Sequence, residues 1–383
     1  MTRVAVSERM LQWAVTRSGR SPDAIAKRFP LKEWLRGEKQ PTLRQLEAFA
    51  AYVRAPLGFM FLDEPPSEEL SIPFFRTSDD LEPATGSPEL IDTVYALRQR
   101  QAWVRDHLIN LGYSPLPFVG EAGIGDDPVR VATLMRRALG LSDDWAAPYP
   151  SWEEALRRLR EAMDAAGIFV VVNGIVGNNP HRPLNPDEFR GFVLVDEYAP
   201  FVFVNGADAR SAQMFTLAHE LAHILFGFSA VFDLRDLHPS RDRSEKQCNK
   251  AAAEFLVPAR RLMEVWPNAR ETGSPLRTLA RRFKVSPIVV ARRLLDLGLI
   301  GRREFLDFYR QDVSTSKHRN SDTAGGDFYK NQNLRVGARF FSHVLAALYQ
   351  GMISYTEAYR LTGLRGEAFH EYAQRVMEGA AAT

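Results

Sequence analysis

The stretch Met214 to Gly227, MFTLAHELAHILFG, constrains this chain more than any other, because it sets a charged group of residues inside an apolar helix. Its apolar residues recur at helical spacing, and Gly227 supplies a stop. Residues four apart stack on one face of a helix, so His219 and His223 can offer imidazole nitrogens to one ion. Glu220 lies about 100° around from His219, near such an ion but offset from it. A carboxylate placed there suits a general base that takes a proton from water and later delivers it to a leaving amine. Leu217, Leu221, Ile224 and Leu225 line the other face and can pack on a sheet. Charged side chains in so apolar a helix need a reason to be buried. A divalent ion is that reason, and the chemistry implied is that of a metal-dependent hydrolase.

Tetrahedral zinc that keeps one position open takes three protein donors. Downstream of His223, the acidic candidates for the third are Asp233, Asp236, Asp242, Glu245 and Glu254, and His238 is a further one. Glu245 and Glu254 share the next expected helix, 244–258; Asn249, Ala252 and Leu256 lie on the face of Glu245, while Glu254 points elsewhere. Spacing alone leaves the third donor open. His238 and Tyr198 are the candidates for steadying a tetrahedral oxyanion. Cys248, one turn beyond Glu245, reads as a small packing residue near the site. As the single cysteine, it excludes an internal disulfide. Asn205, at a strand end, either lies along a bound peptide or starts the turn into the helix.

The rest of the chain reads as α+β and mostly helical. Short helices are expected at 7–18, 23–29, 31–36 and 42–53, with Thr42 as an N-cap and Trp34 as a core anchor. The proline-rich stretch 65–89 reads as an extended linker. Helices follow at 90–111, 128–139 and 152–166. The β-branched and aromatic runs 168–172, 189–195 and 200–205 suggest a small antiparallel sheet. The helix 207–226 comes next, then a polar loop (228–243), the helix 244–256 and a helical pair within 275–297. A polar connection (317–333) leads to helices near 334–350 and 354–376. The expected domains are a helix-turn-helix-like module (1–64), the linker (65–89), a hydrolase domain (90–270), a helix-turn-helix-like subdomain (271–312) and a helical C-terminal region (313–383).

The whole-chain charge of +2 says nothing about partners, but residues 1–54 hold 11 Lys/Arg against 5 Asp/Glu, and residues 260–310 hold 12 against 5. Such patches are compatible with nucleic acid. In the first module, IAKRFPLKEWLRG (25–37) leaves room for only a truncated recognition helix, so Lys32 and Arg36 are left to touch phosphates. The second module keeps a full helix carrying Arg292 and Arg293, the candidate DNA contacts. MTRVAVSERMLQW lacks a secretory apolar stretch, and Ile168 to Val172 is too short to span a bilayer. A cytoplasmic protein without membrane contact is expected.

HELAH followed by Glu245, Asn249, Ala252, Ala253, Leu256 and Pro258 resembles the ImmA/IrrE family of zinc metallopeptidases. WLRGEKQPTLRQLEAFA (34–50) and PLGFMFLDEPP (56–66) are similar to members with an N-terminal Xre-type helix-turn-helix, and 189–223 and 325–340 look typical of that subgroup. The resemblance implies a zincin-like domain with Glu245 as third ligand and one Zn2+ per chain, Mn2+ being the alternative ion. It also implies cleavage of a protein substrate, a DNA-binding repressor, in a stress or mobile-element response. The competing reading is a DNA-binding regulator, or an antitoxin-like partner of a neighbouring toxin, in which the metal is structural. Glu220 favours the enzyme, since structural zinc needs no general base.

Overall fold

The computed structural model describes residues 3–66, 74–75, 86–232, 243–316 and 333–381. Contacts divide the chain into two units, Met1–Ser71 with Glu82–Val94, and Ile72–Leu81 with Tyr95–Thr383.

Local capping fixes the helices of the first unit. Ser7, Ser21 and Thr42 each accept a backbone N–H, starting α1 (Glu8–Arg17), α2 (Pro22–Ala26) and α4 (Leu43–Val53), and Thr42 forms a full capping box with Gln45. Between them, α3 spans only Leu31–Leu35. Met10, Leu11, Ile25, Leu31, Leu46 and Phe49 make the core. Trp34 is 3% exposed and meets Phe49 edge-on at 5.6 Å, so it anchors that core as expected. α3, little more than one turn, faces inward through Leu31 and Trp34, leaving Lys32 and Arg36 exposed.

The second unit contains most of α5 (Pro88–Asn110), then α6 (Pro128–Leu139) and α7 (Trp152–Ala166). β2 (Phe169–Asn173), β3 (Gly191–Leu194) and β4 (Phe201–Asn205) are buried at every position, which is why their sequences read as unbroken apolar runs. With β1 (Phe74–Phe75) and β5 (Ala230–Phe232) they form a sheet in the order β1-β5-β3-β4-β2. The antiparallel sheet expected from sequence is in fact mixed. β3 runs against both β4 and β5, but β2 is parallel to β4 and β1 is parallel to β5. The cause is topological: β3 and β4 form the hairpin, and β2 joins on the far side of β4 with residues 174–200, β3 among them, as its crossover. Two strands escaped the sequence reading, β1 inside the expected linker and β5 inside the expected polar loop, each too short to show a period.

α8 (Arg210–Phe226) packs on β3 and β4, and α9 (Arg243–Leu256) packs on α8 and α6. The C-terminal end of α8 is closed by a loop: Gly120 N–H donates to Ile224 O at 3.0 Å and Ala122 N–H to Leu225 O at 2.8 Å. Gly227 ends the helix at φ +81°, with Gly120 so close that a Cβ would sit 3.2 Å from its Cα.

After α10 (Ala259–Arg270) come α11 (Pro275–Phe283), α12 (Pro287–Asp296) and α13 (Arg302–Ser316). Leu279, Phe283, Val290, Leu294 and Phe305 belong to the same apolar cluster as Leu217, Leu221 and Phe255, so residues 271–312 share a core with α8 and α9. A π turn (Asn333–Gly337) leads to α14 (Ala338–Tyr349), α15 (Tyr355–Thr362) and α16 (Gly366–Ala381), where one helix had been expected over 354–376. Gly363, left-handed at φ +72°, makes the break. Arg100 ties this region down by donating to the carbonyls of Leu361, Arg335 and Thr362. Among the described residues, no helix is long and apolar enough to cross a membrane.

Candidate metal centre

His219, Glu220 and His223 are all fully buried on α8, and Glu245, 3% exposed, reaches them from α9. The two Nε2 atoms lie 2.9 Å apart. Glu245 Oε2 is 3.1 Å from Nε2 of His219, and Oε1 is 3.2 Å from Nε2 of His223. Two imidazoles and one carboxylate thus converge on a single point. His219 Nδ1 faces Asn249 Oδ1 at 3.1 Å. That oxygen can only accept, so Nδ1 carries the proton and the Nε2 lone pair is turned to the centre. Asn249 therefore orients a donor; the sequence placed it on the right face without giving it this task.

Glu220 has the most unusual surroundings. Among the described residues neither of its oxygens has a hydrogen-bond partner, although the residue is completely buried. Burial, and then the charge of Glu245, push its carboxyl well above the usual carboxylate range. Burial alone would raise Glu245 too, but the charges and hydrogen bonds of His219 and His223 hold it well below that range. Gly191 of β3 makes room for Glu220: a Cβ there would fall 2.5 Å from Thr216 Cγ2, 2.7 Å from Phe203 O and 3.3 Å from Glu220 Oε1. No sequence period marks this glycine, because its role is a cross-chain approach.

The remaining candidates separate cleanly. Glu254 is 4% exposed but faces away from the centre, paired with Arg293 and accepting from Ala259 N–H at 3.2 Å. Arg293, expected as a DNA contact, also donates to Val257 O at 3.1 Å, so its guanidinium, with 11% of the side chain exposed, is turned towards α9. Arg292 is half-buried and bonded to Asp296 at 2.9 Å. Tyr198 lies in the β3–β4 turn with its ring under the Arg105 guanidinium (5.8 Å), beyond Leu194, whereas Glu220 meets β3 at its other end, Gly191. The structure does not bring Tyr198 to the centre. His238, and with it Asp233, Asp236 and Asp242, lies outside the described residues. Asn205 starts the turn into α8: its Oδ1 accepts from Ala207 N–H at 3.1 Å and its Nδ2 donates to Phe189 O at 3.2 Å. Cys248 is buried, and its sulfur lies within 4.8 Å of imidazole nitrogens of both His219 and His223.

Two imidazole nitrogens and a carboxylate are the donor set of a hydrolytic zinc site, and an adjacent carboxylate without a partner is what such a site adds for proton transfer. The residues present therefore fit a divalent ion. The class defined is a hydrolytic metal site. Residues 178–295 match the family model described as an IrrE N-terminal-like domain. A 92-residue segment is 36% identical to the radiation response metalloprotease IrrE of Deinococcus radiodurans, covering 22% of this chain and 27% of that protein. Through this domain the chain is similar to the ImmA/IrrE family of metallopeptidases. The match spans about a quarter of that relative's length. Residues 336–375 match a domain of unknown function (DUF8813).

Proposed function

We propose that this chain is a zinc-dependent endopeptidase that cleaves a regulatory protein, a DNA-binding repressor, in a stress or mobile-element response. The observation that carries the reading is the Glu220 carboxylate, wholly buried and without a hydrogen-bond partner among the described residues, beside three converging donors. In this reading His219, His223 and Glu245 hold the ion. When bound, it supplies a Lewis acid for the scissile carbonyl and for water. Glu220 takes a proton from water as the oxygen attacks the carbonyl carbon, and returns it to the amide nitrogen as the C–N bond breaks.

The stress context is carried over from the relative, whose name describes a radiation response metalloprotease. A regulator acting through DNA is the weaker reading. α3 is five residues long with two side chains buried, and Arg293 is committed to Glu254. Incubating the zinc-loaded chain with purified repressors encoded beside it should give one discrete cleavage. Glu220→Gln should keep the fold and lower that rate by about 10²- to 10⁴-fold. Undiminished cleavage by the variant would overturn the assignment.

A further inference from the structure

Cys248 stands three residues after Glu245 on α9 and turns to the same seam. It is completely buried, and its sulfur lies within 4.8 Å of imidazole nitrogens of both His219 and His223. It does not stand there alone. Glu245 is in contact with both imidazoles, and the Glu220 carboxylate beside it has no hydrogen-bond partner among the described residues. The seam thus holds a nitrogen pair that a carboxylate touches and that a sulfur approaches to within 4.8 Å.

We propose that Cys248 is a further donor to the ion in this site and the residue that sets which ion the site accepts. This rests on the reading of His219, His223 and Glu245 as the ion's holders. A thiolate is a soft donor that favours zinc or cobalt, whereas manganese prefers oxygen. The nitrogen and carboxylate donors alone discriminate less between these ions, so the sulfur supplies the bias. On binding, the S–H bond breaks heterolytically, the proton leaves to solvent and the sulfur electron pair goes to the ion, so one extra proton is released per ion bound. Zinc can expand to five neighbours during turnover, so a sulfur donor is compatible with hydrolysis.

The test uses the full chain loaded with Co2+ in place of zinc. Sulfur bound to cobalt gives an intense near-ultraviolet charge-transfer absorption, which nitrogen and oxygen donors do not. The wild type should show it, and Cys248→Ala should lose it while keeping the weaker visible bands of bound cobalt. Competition should show the zinc-over-manganese preference reduced by about tenfold or more in Cys248→Ala. Because residue 248 is in the core, Cys248→Ser, with the fold checked by circular dichroism, serves as a second variant with the same expectation. Cobalt bound to the wild type without the charge-transfer band overturns the role of Cys248 and leaves the metal site standing. No cobalt bound at all overturns both.

Discussion

Helix α9 carries two buried glutamates on different faces, Glu245 towards α8 and Glu254 towards α12, and the two seams treat their charge differently. In the α9–α12 seam the charge is matched: Arg293 pairs with Glu254 through Nη2, Ala259 N–H donates to the same carboxylate, and Arg293 Nε donates to Val257 O. In the α8–α9 seam two carboxylates and two imidazoles crowd together, and Glu220 is left unmatched among the described residues. A fold can bury a glutamate in either way. The first arrangement sets an arginine beside its carboxylate; the second, among the described residues, has none, and a divalent cation would supply that charge.

The largest test of this contrast exchanges the two residues' fates. Glu245→Ala should abolish zinc binding at concentrations that saturate the wild type. Glu254→Ala should keep zinc affinity but lose about 3–5 kcal/mol of stability in urea unfolding, because it strands the largely buried Arg293. The reverse outcome would break the comparison. A smaller effect is expected at Asn249, which orients His219: Asn249→Ala should weaken zinc binding by about 10- to 100-fold with little change in unfolding midpoint. Unchanged affinity would mean that the Asn249 contact is incidental.

The smallest effect concerns burial without a site. Asp164 on α7 is raised by burial from an ordinary 3.8 to about 7, against the opposing pull of the Val170 backbone N–H and the Arg339 charge. Between those two values the folded chain keeps a proton that the unfolded chain releases, so stability falls as pH rises through that window and stays lowered above it. Asp164→Asn is neutral throughout. It should remove this part of the fall, with its gain in thermal midpoint growing up to about pH 7 and then levelling. Parallel profiles for the two chains would contradict the assignment.

Much of the site was legible because its two histidines and its base lie within one helical turn, where a period of 3.6 fixes geometry without tertiary knowledge. The third donor was not, since Glu245 and Glu254 differ only in which neighbouring helix they meet. Gly191 and Asn249 were illegible as site residues for the same reason: each acts across a seam. Helices with caps, such as α4 and α7, matched the sequence reading within a residue or two. The sheet's mixed pairing did not emerge, because buried strands lose the alternation that would show their faces, and nothing local records which neighbour a strand chooses. Arg292 and Arg293 show the limit of charge counting: adjacent in sequence, one pairs within its own helix and the other with a glutamate of α9.

The central claim, that the α8–α9 seam holds one divalent ion through its histidines, is tested most directly by zinc content after exhaustive dialysis of the wild type and the His219→Ala/His223→Ala double variant. The account predicts about one zinc per wild-type chain and almost none in the folded double variant. A zinc-free wild type after reconstitution, or a double variant that retains its full complement, would contradict it.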